Sequence, residues 1–174
     1  MESNVTPVTS TSVGLRYGLL AGLVSIIFSF GLYAAKMENS PLKYVGSVLL
    51  VVGIVLAMRE FKASNHGFMS FGQGVGIGAL VSTVVGVLSA IFAYVYFNII
   101  DPTIVERMME KARTDMEARG GMSDEQIDAG MAMAGKFMNG PMMMLIVVLS
   151  SVLLGVVLSL IISAFIKHSK PEFE

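Results

Sequence analysis

Residues 67–100 read GFMSFGQGVGIGALVSTVVGVLSAIFAYVYFNII, and none of these 34 residues carries a charged side chain. A helix that crosses the roughly 30 Å hydrocarbon core of a bilayer needs about 20 mostly apolar residues. This run is longer than that, so its first residues are expected in a loop or at the interface and its last turns beyond the opposite surface. The stretch predicts a membrane-spanning helix over residues 72–100.

Three further apolar runs accompany it. The shortest is uncharged only from residue 44 to 58, and the side chains of Lys43 and Arg59 are expected to extend towards the two interfaces. The approximate spans are 13–35, 42–58, 72–100 and 141–166. The sequence therefore predicts an all-α, polytopic membrane protein with four transmembrane helices, in which residues 1–174 form a single membrane domain.

Composition agrees with that class, because 54% hydrophobic and 14% charged residues are rare values for a water-soluble domain. The lipid bilayer is thus the expected partner. Lys and Arg number 12 against 13 Asp and Glu, which gives no basic surface for nucleic acid. The absence of cysteine excludes disulfides, thiolate nucleophiles and cysteine-based metal sites. The first apolar run is too long for a cleaved signal peptide and is expected to remain in the protein as a membrane-spanning helix.

Residues 101–140 form the longest polar segment between spans. Eight acidic and five basic residues give the segment a net charge of −3. Apolar residues at helical spacing predict amphipathic helices, and we interpret the segment as an extramembrane helical hairpin between the third and fourth spans. It is expected to rest on its own bundle or on lipid headgroups, or else to dock against a partner.

Capping residues predict the bounds of these two helices. Asp101 is expected to cap a helix whose first position is Pro102, and Gly120 with its neighbour Gly121 is expected to end that helix. Ser123 is expected to start the second helix, because Gln126 three residues later completes a capping-box pattern.

Small residues recur at every fourth position of three spans. They are Gly14, Gly18 and Gly22 in the first span, Gly74, Gly78, Ser82, Gly86 and Ala90 in the third, and Ser151, Gly155, Ser159 and Ser163 in the fourth. Such ridges let helix backbones approach closely inside a membrane. Tight helix packing is the prediction, either within one chain or between chains, so a homo-oligomer or another membrane protein remains a possible partner.

Two cofactor-like patterns have simpler structural interpretations. Residues 74–79 fit GxGxxA, but no strand precedes them, so no dinucleotide site and no cofactor is predicted. Ten of the 14 methionines fall between Met108 and Met144, and thioethers suit Cu(I). Methionine is also an adaptable apolar residue, and an apolar helix face without a metal is the favoured interpretation.

Residues that could carry chemistry inside the spans are few. Arg16 lies about one turn inside the first span, and His66 and His168 are assigned to short basic loops, so no catalytic residue and no enzyme is predicted. Hydroxyl and amide side chains could still line a neutral polar path. These are Ser25, Ser29, Ser82, Thr83, Ser89, Asn98 and Ser159.

Residues 58–78 read MREFKASNHGFMSFGQGVGIG, a basic pair and a short loop that lead into the glycine-rich span. This pattern resembles the bacterial membrane family known as domain of unknown function 4199. The resemblance implies four spans, the acidic helical insert and a bacterial inner (cytoplasmic) membrane, and the family carries no established activity. The motif positions to test are Gly67, Ser70, Phe71 and Gln73. Alternatively, Ser70 caps the third span and Gln73 bonds in its first turn.

The sequence thus favours a noncatalytic structural or accessory membrane protein that acts through helix packing or partner binding. The alternative is a small oligomeric channel or transporter for a neutral solute or ion. Four spans place both termini on the same side. The counts of basic residues on the two sides do not decide the orientation, but the pairs Arg59/Lys62 and Lys167/Lys170 beside helix ends favour the cytoplasm.

Overall fold

The computed structural model describes residues 8–138 and 140–168, and within them the fold is all-α, as predicted. Lys170 of the predicted basic pair lies outside the described residues. The helices are α1 Ser10–Ala34, α2 Val45–Ser64, α3 Phe71–Val95, α4 Ile104–Arg119, α5 Asp124–Phe137 and α6 Gly140–Ile166. A 3-10 turn, Pro41–Tyr44, precedes α2, and a π-helical turn, Tyr96–Ile100, extends α3.

Four of these helices are long and apolar enough to cross a bilayer. With their attached turns they are Ser10–Ala34, Pro41–Ser64, Phe71–Ile100 and Gly140–Ile166. The second continues beyond residue 58, because Arg59 and Lys62 lie in the last turns of α2 and not in the following loop.

The bounds of α4 differ from the prediction at one end. Asp101 accepts hydrogen bonds at Oδ1 from the backbone nitrogen of Thr103 at 3.2 Å and from its hydroxyl at 2.6 Å. This turn holds Pro102 outside the helix, so the predicted start at Pro102 was wrong and α4 begins at Ile104. The predicted end is confirmed, since Gly120 follows α4 with φ +67°. The capping box of Ser123 and Gln126 at the start of α5 is also confirmed.

Residue pairs across the helix contacts give the directions of the helices. Gly14 lies against Leu80 and Gly22 against Leu88, so α1 and α3 run parallel. Gly74 lies against Ser163 and Gly86 against Ser151, so α3 and α6 run antiparallel. We call the two ends of the bundle the terminal end and the hairpin end. The terminal end comprises the start of α1, the loop at residues 65–70 and the end of α6. The hairpin end comprises residues 35–44, the end of α3, the start of α6, and α4 with α5, which we call the hairpin.

The buried core lies towards the terminal end. Ile54, Met58, Met69, Ile77 and Val81 are all fully buried there. The outer faces of the long helices are apolar as well, and Ile27, Leu153 and Phe165 are between 67% and 86% exposed. Large exposed apolar faces of this extent suit an apolar surrounding better than water.

Candidate functional site: an apolar cavity beside the hairpin

Small residues face small residues where α3 meets α6. Gly74, Gly78, Ser82 and Gly86 of α3 lie against Ser163, Ser159, Gly155 and Ser151 of α6, respectively. A Cβ atom added at Gly86 would lie 2.9 Å from Cβ of Ser151, and one at Gly78 would overlap the side chain of Ser159. The hydroxyl of Ser151 donates to the backbone oxygen of Ser82 at 2.9 Å. The two backbones are therefore as close as these residues permit.

Glycines face larger residues where α1 meets α3. Added Cβ atoms at Gly14, Gly18 and Gly22 would lie within 2.6–2.9 Å of Leu80, Val84 and Leu88, respectively. Ala90, the last residue of the predicted α3 ridge, is buried too. The structure thus brings the three predicted ridges together inside one chain.

The ridges stop where a cavity begins. One helical turn beyond Gly22 the next residue in the α1 series is Ile26, and one turn beyond Ser151 towards the start of α6 it is Val147. Both side chains line a cavity of 570 Å³ that lies among α1, α3, α6 and the hairpin. Larger side chains at the ridge positions hold the helices apart, so the space between them stays open.

The cavity is lined almost entirely by apolar side chains. Phe92 and Phe97 of α3 and its π-helical extension line one wall, and Met143 of α6 lines another. The polar groups among the lining residues are the hydroxyls of Ser29, Ser89 and Tyr33, and no lining residue is charged. The hairpin side is formed by Met108, Ala134, Phe137 and Met138. Such a space accepts an apolar molecule and offers a few hydroxyls to orient it.

A buried ion pair fastens the hairpin to the bundle. The guanidinium of Arg107 in α4 contacts Oε1 of Glu38 through Nε at 2.8 Å, and Glu38 has a side chain only 2% exposed. The same guanidinium contacts Oδ2 of Asp101 at 2.8 Å and donates to the hydroxyl of Thr103 at 2.7 Å. The second oxygen of Glu38 is buried without a hydrogen-bond partner among the described residues. Arg107 therefore contacts a residue that lies 69 positions away from it in the chain.

The same contacts shift the pKa values of Asp101 and Arg107. Hydrogen bonds from Arg107 and then Thr103 lower the pKa of Asp101 to about 2. Hydrogen bonds to Asp101 and Glu38 raise the pKa of Arg107. These shifts favour the charged form of each group, so Asp101 and Arg107 stay ionised over the physiological pH range.

A second ion-pair group holds the hairpin together. Arg113 of α4 contacts Glu117 at 3.0 Å and Asp128 of α5 at 2.8 Å. The methyl carbon of Met109 lies 3.9 Å from the position a Cβ atom would take at Gly135. Because these ion pairs are exposed, each contributes little to the stability of the hairpin.

The motif positions lie at the terminal end, away from the cavity. Ser70 and Gln73 form a capping box, in which each backbone nitrogen donates to the other side chain at 2.9 and 3.2 Å. Gly67 has φ +83°, a conformation that favours glycine. The ring of Phe71 lies 6.0 Å from Nζ of Lys167. Capping of α3 by Ser70 and the hydrogen bond of Gln73 in its first turn therefore account for both residues.

The predicted polar path is divided among different environments. Ser82 and Ser159 are fully buried in the α3–α6 contact, where their hydroxyls donate to backbone oxygens of their own helices. Thr83 and Asn98 also donate to the preceding turn of the third span. Ser25 is buried, while Ser29 and Ser89 line the cavity. The hydroxyls described here do not form one continuous row.

Sequence reasoning missed the residues that fasten the hairpin. Glu38 is the one acidic residue between the first two apolar runs, and this was the available signal. Nothing in the spacing points to Arg107 as its partner. The methionine-rich segment contributes Met108, Met138 and Met143 to the cavity wall. In residues 8–138 and 140–168, no group of three or more His, Cys, Asp or Glu side chains is placed to hold a metal.

Comparison with known proteins places the chain in one family. Residues 16–168 match the family described as "Protein of unknown function (DUF4199)", which covers most of the 174 residues. The chain belongs to this family, as the sequence pattern at residues 58–78 predicts. No curated protein and no solved structure matches the chain.

Proposed function

We propose that this chain is a noncatalytic, multi-pass membrane protein that binds the acyl chain of a membrane lipid in the cavity beside the hairpin. The observation that carries the proposal is the 570 Å³ cavity with its apolar walls. Its size falls in the range of roughly 300–1,000 Å³ that ligand sites occupy in proteins.

Four long apolar helices with exposed apolar faces support a location in the bilayer. The proposed compartment is the bacterial inner membrane, with both chain termini in the cytoplasm. Arg59 and Lys62 at the end of α2 and Lys167 after α6 support this orientation, because basic residues beside membrane spans favour the cytoplasmic side. The hairpin then lies outside the hydrocarbon core on the opposite side.

An acyl chain suits the cavity for two reasons. First, Ile146 of α6 lines the cavity and is 38% exposed, which supports an opening of the cavity on the apolar outer surface of the bundle. A lipid tail can enter from that surface without crossing water. Second, Met108, Met138 and Met143 are flexible apolar side chains that adapt to chains of different shape.

Apolar helix faces that lie outside the contacts within the chain support an accessory role. The small-residue ridges lie in contacts within the chain, so a homo-oligomer or a second membrane protein would use the remaining apolar faces. The channel alternative receives less support, because Ser82 and Ser159 are closed inside the α3–α6 contact.

Filling the cavity tests the proposal. In Ser89→Leu, the larger side chain projects into space that the acyl chain would occupy, and the matched control is Ser47→Leu at an exposed position of α2. Native mass spectrometry of protein released gently from its membrane is expected to show one retained lipid per wild-type chain. Retention should fall about tenfold or more in Ser89→Leu and stay unchanged in the control. Equal retention in the two variants would contradict acyl-chain binding in the cavity.

A further inference from the structure

A basic cleft lies at the terminal end, opposite the hairpin. It has a volume of 540 Å³ and is lined by Arg59, Lys62, Ala63, Gly67 and Ile166. Arg59 is the first charged residue after the apolar part of α2, and Lys167 is the first after α6. The cleft therefore opens where two apolar helices become charged, which is the level of lipid phosphates when such helices cross a bilayer.

Contacts between distant parts of the chain give the cleft its shape. The ammonium of Lys62 donates to the backbone oxygen of Ile166 at 2.9 Å. Met69 and His168 exchange two backbone hydrogen bonds of 2.9 Å, which fix the loop after α2 to the end of α6. The space beside Gly67 is open, since no atom of the described residues, apart from its two chain neighbours, lies within 4 Å of the position a Cβ atom would take. Contacts between distant segments of the chain therefore form the cleft.

The basic residues around the cleft, which are Arg59, Lys62 and Lys167, form no ion pair in the described part of the chain, residues 8–138 and 140–168. At the hairpin end, in contrast, Arg107 and Arg113 each contact two carboxylates. A guanidinium and an ammonium beside an open cleft can together bind an anionic oxygen group such as phosphate.

We propose that the basic cleft binds the phosphate of an anionic phospholipid headgroup. Basic pockets between membrane helices on the cytoplasmic side are suited to such headgroups. The inference rests on the proposed membrane location and is independent of the cavity beside the hairpin. Free phosphate shares the same chemistry, and the experiment separates the two sources.

The experiment measures the Tm of delipidated protein in detergent as a function of added phosphatidylglycerol, phosphatidylcholine or inorganic phosphate. Phosphatidylglycerol is expected to raise the Tm of wild type further than phosphatidylcholine does, because both lipids supply acyl chains to the cavity and only phosphatidylglycerol has a net negative headgroup. The half-saturating concentration should rise about fivefold in Arg59→Gln and about 25-fold in Arg59→Gln/Lys62→Gln, at about fivefold per charge. The control, Lys43→Gln/Lys136→Gln, removes two exposed charges at the hairpin end and should match wild type.

The variants also separate this cleft from the cavity. In Ser89→Leu, the difference between the Tm responses to phosphatidylglycerol and phosphatidylcholine should match that of wild type, because the variant loses only the acyl-chain contribution that the two lipids share. Arg59→Gln removes an exposed side chain and remains informative if the loss of Lys62 unfolds the protein. A response to inorganic phosphate that removes the phosphatidylglycerol effect would support the cleft and identify free phosphate as its ligand. Equal responses to the two lipids, or a wild-type response in Arg59→Gln, would overturn the proposal.

Discussion

The two ends of the bundle pack the same helices in different ways. Towards the terminal end, α3 meets α6 with Gly78 against Ser159, and Ile54 and Met58 are fully buried nearby. Towards the hairpin end, the same helices leave a 570 Å³ cavity and the hairpin covers it. Packing differs because the residues at every fourth position change size, from Gly22 to Ile26 on α1 and from Ser151 to Val147 on α6.

Close contact at one end and an open cavity at the other can therefore come from one pattern, in which every fourth residue of a helix is small along only part of its length. Small residues let lipid-exposed helices approach until their backbones touch. Where the pattern stops, larger side chains separate the helices, and the space is available to a ligand. Substitutions at the close contact and at the hairpin end test this difference separately.

The largest effect is expected at the close contact. In Gly78→Leu/Gly86→Leu, the new side chains would overlap Ser159 and Ser151, so the folded bundle should lose about 3 kcal/mol or more. The measurement is the yield of monodisperse protein and its Tm in detergent.

The matched control for this variant lies on the same helix. Gly72→Leu/Gly76→Leu adds the same two side chains at positions where no described residue from another part of the chain lies within 4 Å of an added Cβ. This control should keep the Tm of wild type to within a few degrees. If the two double variants have the same yield and Tm, close packing of α3 on α6 does not determine the stability of the bundle.

A smaller effect is expected where the hairpin joins the bundle. Glu38→Ala leaves Asp101 as the one carboxylate that contacts Arg107 among the described residues, and should weaken docking of α4 by about 1–3 kcal/mol, because Glu38 is buried. Hydrogen exchange of α4 amides should become faster, and exchange in the α3–α6 contact should not change. Glu110→Ala removes an exposed acid of α4 and serves as the control. Equal exchange in both variants would show that the Glu38 pair does not hold the hairpin.

The smallest effect concerns acid pH at the same junction. The folded pKa of Asp101 is lowered to about 2, so the carboxylate stabilises the docked hairpin above its ordinary pKa of 3.8. That contribution is lost as the pH falls from about 4 towards 2. Protection factors of the α4 amides, which are corrected for the intrinsic pH dependence of exchange, should therefore fall over this window in wild type, and Asp101→Asn should show a weaker dependence. An identical pH profile in the variant would contradict this role of Asp101.

Local features of the fold could be predicted, and distant pairings could not. Uncharged runs predict four long apolar helices, and the spacing of Ser123 and Gln126 predicts the start of α5, because both depend on neighbours in sequence. The α4 start was predicted wrongly because Asp101 bonds to Thr103 and Arg107 instead of capping a helix at Pro102.

The candidate site depends on contacts between distant residues. Ser29 and Ser89 were singled out for a polar path, but their position beside one cavity depends on how α1, α3 and the hairpin come together. The pairing of Gly74 with Ser163 and of Glu38 with Arg107 likewise depends on helix register. A single sequence does not contain this register in its local spacing.

The most direct test asks whether an acyl chain enters the cavity. The chain contains no tryptophan, so Phe92→Trp places a single tryptophan in the cavity wall, and Leu153→Trp places one on the outer face of α6, where Leu153 is 67% exposed. Both proteins in detergent are titrated with a phospholipid that carries bromine on its acyl chains. If an acyl chain binds in the cavity, quenching of tryptophan fluorescence in Phe92→Trp saturates at about one lipid per chain. Quenching in Leu153→Trp instead rises steadily with the lipid fraction. Parallel quenching curves for the two proteins would contradict acyl-chain binding in the cavity.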